Sequence, residues 1–244
     1  MSGRIEEKNI MEAINKDRIK GFVAKNSRPL LIVSNGPSVK YFQRKKIPRN
    51  PVIVRLNMFF LEKNRRFGRK VDAHFMSIYR RSLYTGLETS ILEKRYDIEL
   101  FFRNPDIFES SLNINHSTSS EQASLFQPKF WHWDILMQNK LINQYIKDRP
   151  LGGLPTTGMQ ALATCLQLGF REIYLAGFDL YEEPISKNNA AERERYYFKT
   201  PKFLKENTSK EHYSGGFESK AHSKLIDINF FRTLENLYPD ATIK

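Results

Sequence analysis

A single cysteine, Cys165, stands in 244 residues. That excludes an intrachain disulfide and leaves no thiolate cluster for zinc. No stretch reaches the roughly 18 consecutive apolar residues that a membrane-spanning helix requires. The opening segment, residues 1–22, is charged throughout and lacks the apolar stretch of a signal peptide, so a cytoplasmic protein is expected. No G-x-G-x-x-G or Walker loop occurs, which weakens dinucleotide and P-loop readings. Nothing matches a helix-turn-helix, zinc-finger or RNA-recognition signature, so no nucleic-acid partner is expected. Acidic residues are in deficit, 27 against 39 Lys and Arg, for a net charge of +12. Much of the excess falls between Lys40 and Arg81, where only Glu62 and Asp72 oppose Arg44, Lys45, Lys46, Arg49, Arg55, Lys63, Arg65, Arg66, Arg69, Lys70, Arg80 and Arg81. Such a stretch is either a solvated basic surface or one that suits a polyanion, an anionic membrane face or an anionic small substrate.

What is present points to one α/β core. Hydrophobic residues make up 40% of the chain, enough for a sizeable interior. Continuous apolar runs at 29–34 and 51–57 read as strands buried on both faces, with less regular ones at 71–77 and 98–102. A helix is predicted over 156–169, where Thr156 and Thr157 can cap, Met159, Leu162, Ala163 and Leu166 share a face, and Gly169 stops the turn. It feeds a strand at 172–177, the repeating unit of a parallel sheet. Helical spacing returns at 223–237 through Ile226, Phe230 and Leu234. The expected fold is α/β, a Rossmann-like, mostly parallel sheet flanked by helices, with a small lid subdomain. Its divisions are a polar helical extension at 1–28, a nucleotide-binding core at 29–181 and 222–244, and a lid at 182–221. That last stretch is polar and rich in Tyr, Lys, Asn, Ser and Gly, longer than an ordinary loop. The middle region, 85–148, carries no functional signal of its own.

Ligands of open α/β sheets sit beyond the carboxyl ends of the strands. Asn35, Asn57, Ser77 and Asp179 all stand at that end of their runs. Each alone reads as a turn former; together they outline a concave site. The turn at Asn35-Gly36-Pro37 can bring backbone N–H groups against a phosphate or ribose. No Asp-x-Asp pair is present to hold a metal against a diphosphate. Leaving-group charge therefore has to meet hydroxyls, amides, a helix N-terminus or basic side chains. Tyr181, Tyr196 and Tyr197, at or inside the lid, are candidates for that role or for packing. Of five histidines, His222 precedes a helix at the boundary of lid and core, where a base near its ordinary pKa can face substrate.

The segments Ser34 to Ser38 (SNGPS), Val54 to Phe59 (VRLNMF), Thr156 to Gly158 (TTG), Leu168 to Tyr181 (LGFREIYLAGFDLY) and His222 to Asp227 (HSKLID) occur in this order. On these the chain resembles the bacterial sialyltransferases of glycosyltransferase family 42, which decorate lipooligosaccharide with sialic acid. The resemblance implies an inverting transferase that uses CMP-sialic acid and a galactose-terminated lipooligosaccharide or oligosaccharide acceptor, with no metal and no cofactor. It implies His222 as the base on the acceptor hydroxyl. Tyr181 and Tyr196 would bond the departing phosphate, with Tyr197 the other match for the second role. Asn35, Gly36, Asn57 and Ser77 would line the nucleotide pocket, Thr156, Thr157 and Gly158 would meet the donor sugar or its carboxylate, and Gly177 and Asp179 belong to the same donor site.

Two departures bear on these expectations. The family places an arginine two positions before the Thr-Thr-Gly triplet, where this chain has Leu154; that keeps open a related donor, another CMP-activated acid sugar of the Kdo type. The chain also stops at Lys244 as 241–244 opens another strand, whereas the family continues with more core and a basic, membrane-associating tail. A truncated member that binds nucleotide without activity is therefore a second alternative. Peripheral contact with an anionic membrane face and self-association are the remaining partners the reading allows.

Overall fold

The computed structural model describes residues 17–43, 45, 47, 49–62, 64–76, 93–103, 130–148, 151, 153–180 and 224–244. Its strands are β1 (Leu30–Val33), β2 (Val52–Leu56), β3 (Lys70–Val71), β4 (Ala73–Met76), β5 (Asp97–Ile98), β6 (Phe101–Arg103), β7 (Phe130–Trp131), β8 (Glu172–Ala176) and β9 (Thr242–Ile243). Seven of them form one sheet in the order β7-β6-β4-β2-β1-β8-β9, and every pairing is parallel. The expected mostly parallel α/β sheet is the fold. Runs 29–34, 51–57 and 172–177 supply three adjacent strands of it, β1, β2 and β8. All four residues of β1 are buried: Leu30 and Ile32 enter one apolar cluster, Leu31 and Val33 a second on the opposite face. Burial on both faces is why these runs are continuous rather than alternating.

The runs at 71–77 and 98–102 each divide. Asp72 interrupts the first: its carboxylate accepts the Ile53 N–H (2.8 Å) and the Lys25 ammonium (2.7 Å), so the chain steps sideways there. Val71 then pairs with Ile98 in a separate two-stranded ladder, while His74 to Met76 pair with Phe101 to Arg103 in the main sheet. Apolar content alone carries no trace of this offset.

The helices are α1 (17–23), α2 (His132–Leu136), α3 (Lys140–Asp148), α4 (Thr157–Gln167) and α5 (Lys224–Leu237). The middle region thus contributes three strands, two of them in the main sheet, and two helices. Expected helices at 156–169 and 223–237 are α4 and α5, and α4 closes as foreseen at Gly169 (Gly169 N to Leu166 O, 3.0 Å; Phe170 N to Cys165 O, 3.1 Å). However, α4 is buried at every residue from Thr157 to Leu166, not on one face, because the sheet covers one side and α2 and α5 the other. Its polar groups are satisfied locally: Gln160 Nε2 donates to Pro155 O (2.7 Å) and Thr164 Oγ1 to Gln160 O (2.8 Å). Among the described residues no helix is long and apolar enough to cross a membrane.

Arg55 does not belong to the basic surface that the charge count suggests. It is fully buried on β2, paired with Glu62 (Nη1 to Oε1 and Nη2 to Oε2, both 3.0 Å), and lies over the Phe59 ring at 4.6 Å and the Phe67 ring at 5.2 Å. Tyr96 adds its hydroxyl to Glu62 (2.9 Å); burial, and then the carboxylate, raise its pKa well above the ordinary value. A planar guanidinium suits such a paired and stacked setting. Elsewhere in the same stretch Lys70 lies 3.8 Å from Asp72 and Arg66 donates to the Phe42 carbonyl (3.1 Å). The Glu62→Ala change, which strands Arg55 and Tyr96, should cost about 3–5 kcal/mol. Replacing the pair together, Arg55→Met with Glu62→Leu, should cost markedly less; urea unfolding of the two variants checks the contrast.

Candidate active site

Strand order reverses at β1: the chain runs through β2, β4, β6 and β7 on one side of it and through β8 and β9 on the other. The carboxyl ends of β1 and β8 therefore flank the crevice where ligands of open parallel sheets bind. Parallel register sets Val33 beside both Arg55 and Ala176, so Asn35 emerges level with Asn57 and Phe178. Ser34 N–H donates to Ala176 O (2.8 Å) and Gly36 N–H to Gly177 O (3.2 Å), drawing the two strand ends together past the last sheet residues. The approach is close enough that a Cβ on Gly36 would lie 2.5 Å from both Asp179 Oδ2 and the Gly177 carbonyl. Gly177 itself has φ of +75°, in the left-handed region.

Asp179 closes this arrangement. Its Oδ2 accepts the Ser38 N–H (3.0 Å) and so ties the end of β8 to the turn that follows β1. Asn35 is 94% buried, being 6% exposed; its Nδ2 donates to the Leu56 carbonyl (3.0 Å). The opposite atom, Asn35 Oδ1, is buried with no hydrogen-bond partner among the described residues. A buried amide oxygen in that state is unfavourable until a donor reaches it. Asn57 holds a left-handed φ of +46°, which asparagine tolerates better than most residues. Its N–H donates to Phe75 O (2.8 Å) and its carbonyl accepts from His74 Nε2 (2.8 Å). His74 is therefore a core residue beneath the crevice, packed between the Phe59 and Phe101 rings.

The N-terminus of α4 reaches the same edge of the sheet. Gly158 lies under Phe178 and against Leu56, where a Cβ would stand 2.7 Å from the Phe178 ring and 3.4 Å from the leucine methyl. Thr157 is buried beside it. Thr156 occupies the N-cap position yet makes no side-chain cap bond, contrary to the expectation that it caps the helix through its hydroxyl. That hydroxyl instead donates to Asp227 Oδ2 (2.8 Å), and the Thr156 N–H donates to Asp227 Oδ1 (2.9 Å). The charged acceptor on α5 takes the hydroxyl proton and fixes the side-chain rotamer, which leaves the hydroxyl oxygen turned away from the helix's own N–H groups. Leu154, two positions before the triplet, packs against the main apolar cluster. A mostly apolar cavity of about 530 Å³ adjoins the crevice, walled by Tyr41, Phe42, Gly177, Phe178 and Phe231.

Asn35, Gly36, Asn57, Thr156, Thr157, Gly158, Gly177 and Asp179 are thus gathered at one edge of the sheet. Ser77, Tyr181, Tyr196, Tyr197 and His222 lie outside the described residues, as do the expected lid, 182–221, and Arg80 and Arg81 of the basic stretch. Asp227 was not singled out from sequence; an acidic residue in the first turn of a helix ordinarily reads as a partner of the helix dipole.

The model of the CST-I alpha-2,3-sialyltransferase family matches residues 28–241. The chain belongs to that family. It is a sialyltransferase, and its fold is that of solved sialyltransferases. CstII from Campylobacter jejuni, in complex with the substrate analogue CMP-3FNeuAc, is 25% identical, with a TM-score of 0.66 over 88% of this chain and 80% of that one. Monofunctional alpha-2,3-sialyltransferase Cst-I from Campylobacter jejuni is 24% identical, with a TM-score of 0.66 over 89% and 75%. A CST-II complex with a trisaccharide acceptor and CMP is 24% identical, with a TM-score of 0.62 over 87% and 79%. Comparison with curated protein sequences finds no match.

Two glycine changes of opposite sign, one at the crevice and one away from it as a control, test the close approach. Gly36→Ala must push Asp179 or the Gly177 backbone and should destabilise the sialyltransferase by about 1–3 kcal/mol. Gly21→Ala, in α1 with nothing within 4 Å of the added carbon, should stabilise it by about 0.5–1 kcal/mol. Thermal unfolding of the two variants beside the parent measures both.

Proposed function

We propose that this sialyltransferase moves sialic acid from CMP-sialic acid to a galactose-terminated lipooligosaccharide acceptor, with inversion and without a metal or cofactor. The observation that carries the donor assignment is Asn35: a buried amide oxygen with no described partner, at the strand-order reversal, in a family whose solved relative CstII holds a CMP-sugar analogue. A ribose hydroxyl or a cytosine amino group supplies the donor that Asn35 Oδ1 lacks. Asn57 and Ser77 complete the nucleotide side. The start of α4 offers Thr157 and the positive end of a helix to the negative charge of the donor. Gly36 and Gly177 keep the floor of the crevice free of side chains, and Asp179 holds its rim.

In the reaction His222 takes the proton from the acceptor hydroxyl as that oxygen attacks the anomeric carbon. The bond from that carbon to the CMP phosphate breaks on the opposite face, which inverts the centre. Charge gathers on the departing phosphate, and the hydroxyls of Tyr181 and Tyr196, with Tyr197 as the alternative to the latter, donate hydrogen bonds to it. Because no Asp-x-Asp occurs in the chain, those hydroxyls and the helix terminus replace a metal in this scheme. The polar stretch 182–221 closes over the donor and excludes the water that would hydrolyse it. The basic excess of the chain brings it to the anionic face of a membrane where the acceptor lipid resides.

A second donor is favoured by one observation. Leu154 packs into the core where the family carries an arginine, so the charge on the acid sugar is met differently here, and a Kdo-type CMP sugar is the rival substrate. Incubation with CMP-sialic acid and with CMP-Kdo, each with a labelled lactoside, separates the two by which donor yields transfer and CMP. Neither transfer nor CMP release from either would sink the reading. With the productive donor, His222→Ala should lower transfer by roughly 10²–10⁴-fold and leave CMP affinity nearly unchanged. Tyr181→Phe should reduce kcat more than it weakens donor binding, since its bond strengthens as phosphate charge grows; steady-state kinetics with calorimetry of CMP binding gives both numbers.

A further inference from the structure

Each of the helices α1 to α5 sends a side chain into one apolar cluster: Phe22, Leu136, Ile142, Leu162 and Phe230. The cluster on the other face of the sheet, around Leu31 and Val33, is closed by loops instead, through Val39, Phe42 and Ile47 after β1 and Phe67 after β2. Among the described residues no α-helix contributes to it. With their apolar side chains turned inward, these loops present their polar ones to solvent. Lys40, Lys45, Arg65, Arg66 and Arg69 are exposed, and neither 37–47 nor 64–69 contains an acidic residue. The two loops form one surface: Arg66 Nη2 donates to the Phe42 carbonyl (3.1 Å), and the Phe42 and Phe67 rings are 6.1 Å apart. The acids that bracket 64–69 are taken up elsewhere, Glu62 by Arg55 and Asp72 by Lys25. Among the described residues no carboxylate pairs with Lys45, Arg65 or Arg69. Exposed Asp97, whose N–H bonds the Arg69 carbonyl (3.0 Å), offsets one of these charges at most.

Exposed cations spread over two loops make no cage for a small anion; they suit an extended one. Tyr41 narrows the choice. It belongs to the first loop and is 81% exposed, and an aromatic ring with a polar tip beside cations matches the headgroup region of an anionic bilayer. Tyr41 also stands three residues after Ser38, whose N–H Asp179 holds at the rim of the crevice. Its ring walls the cavity beside Gly177 and Phe178. A surface that begins at this rim turns the rim toward whatever it docks on. We propose that Lys45, Arg65, Arg66 and Arg69, with the ring of Tyr41, form a docking surface for an anionic bilayer, and that docking turns the crevice toward an acceptor glycan anchored in the same bilayer. The purpose of docking rests on the acceptor reading given above; the binding itself does not. Each cation near such a bilayer strengthens binding by about 5-fold, and salt weakens the attraction by screening it.

Flotation of the full chain with vesicles tests the surface. The parent should bind vesicles of roughly 30% phosphatidylglycerol in phosphatidylcholine, and bind pure phosphatidylcholine far more weakly. Joint Lys45→Gln, Arg65→Gln and Arg69→Gln changes should weaken that binding by ~100-fold. A control that removes the same charge from α1 and α3, by Arg18→Gln, Lys140→Gln and Lys147→Gln, should cost less than about 5-fold. Tyr41→Ser should weaken vesicle binding by about 5-fold, through apolar area no longer buried in the interface. Transfer to a free lactoside should be equal in the loop variant and the parent, whereas transfer to a lactosyl lipid in the anionic vesicles should fall with binding. Equal vesicle affinity of the two triple variants overturns the proposal, as does a parent that binds neutral and anionic vesicles alike. Tighter binding to a single-stranded RNA than to the vesicles, lost in the same loop variant, assigns the surface to nucleic acid and overturns it too. Undiminished transfer to the lactosyl lipid by the loop variant overturns the orienting role. A parent that binds anionic vesicles yet transfers to no lactoside overturns the functional reading and leaves the docking surface standing.

Discussion

Where β1 meets β8 the backbone continues to pair past the last strand residues, through Gly36 N–H and the Gly177 carbonyl. Everything at the functional edge depends on how near those two strand ends come. A side chain at either position would hold them apart, and the Asp179 carboxylate could then no longer reach the Ser38 N–H. Because the register of a parallel sheet is shared across all its strands, the same alignment that joins Gly36 to Gly177 also brings Asn35 level with Asn57. One backbone approach thus organises both the floor of the crevice and the level at which the two asparagines leave their strands.

Polar groups buried beneath that edge serve shape rather than chemistry. The Arg55–Glu62 pair, with Tyr96, braces the turn that follows β2, and His74 holds the carbonyl of Asn57 in a left-handed conformation. Rigid support below a binding residue costs stability when a partner is lost, but it spares the ligand the entropy of ordering that residue on arrival. The Asp227–Thr156 link does for two helices what these contacts do for one loop.

Family membership and geometry speak to different parts of the problem. A match over residues 28–241 identifies the catalytic class, and the sheet shows why the segments at this edge are spaced as they are: SNGPS follows β1, VRLNMF spans the end of β2, TTG opens α4, and the LAGFD stretch ends β8. These segments are far apart in sequence and converge because parallel strands deliver all their carboxyl ends to one side. Leu154, two positions before the TTG that opens α4, packs on the apolar core.

The central strands and the helices α4 and α5 were legible from residue order, because long apolar runs and helical spacing reflect burial that each segment achieves whatever its neighbours do. The strand-end location of Asn35, Asn57 and Asp179 was legible for the same reason. Three things were not. The split of 71–77 at Asp72 depends on Lys25, far away in sequence. The burial of Arg55 depends on Glu62 and two rings closing round a charge that composition counts as surface. The hydroxyl of Thr156 turns from its own helix to Asp227 only because α5 packs beside it. Sequence alone determined which segments are buried and what kind of sheet they build, since those follow from local hydrophobic pattern. Tertiary structure decided which polar atom meets which, since a hydrogen bond depends on distances of a few tenths of an ångström that only the packed chain defines.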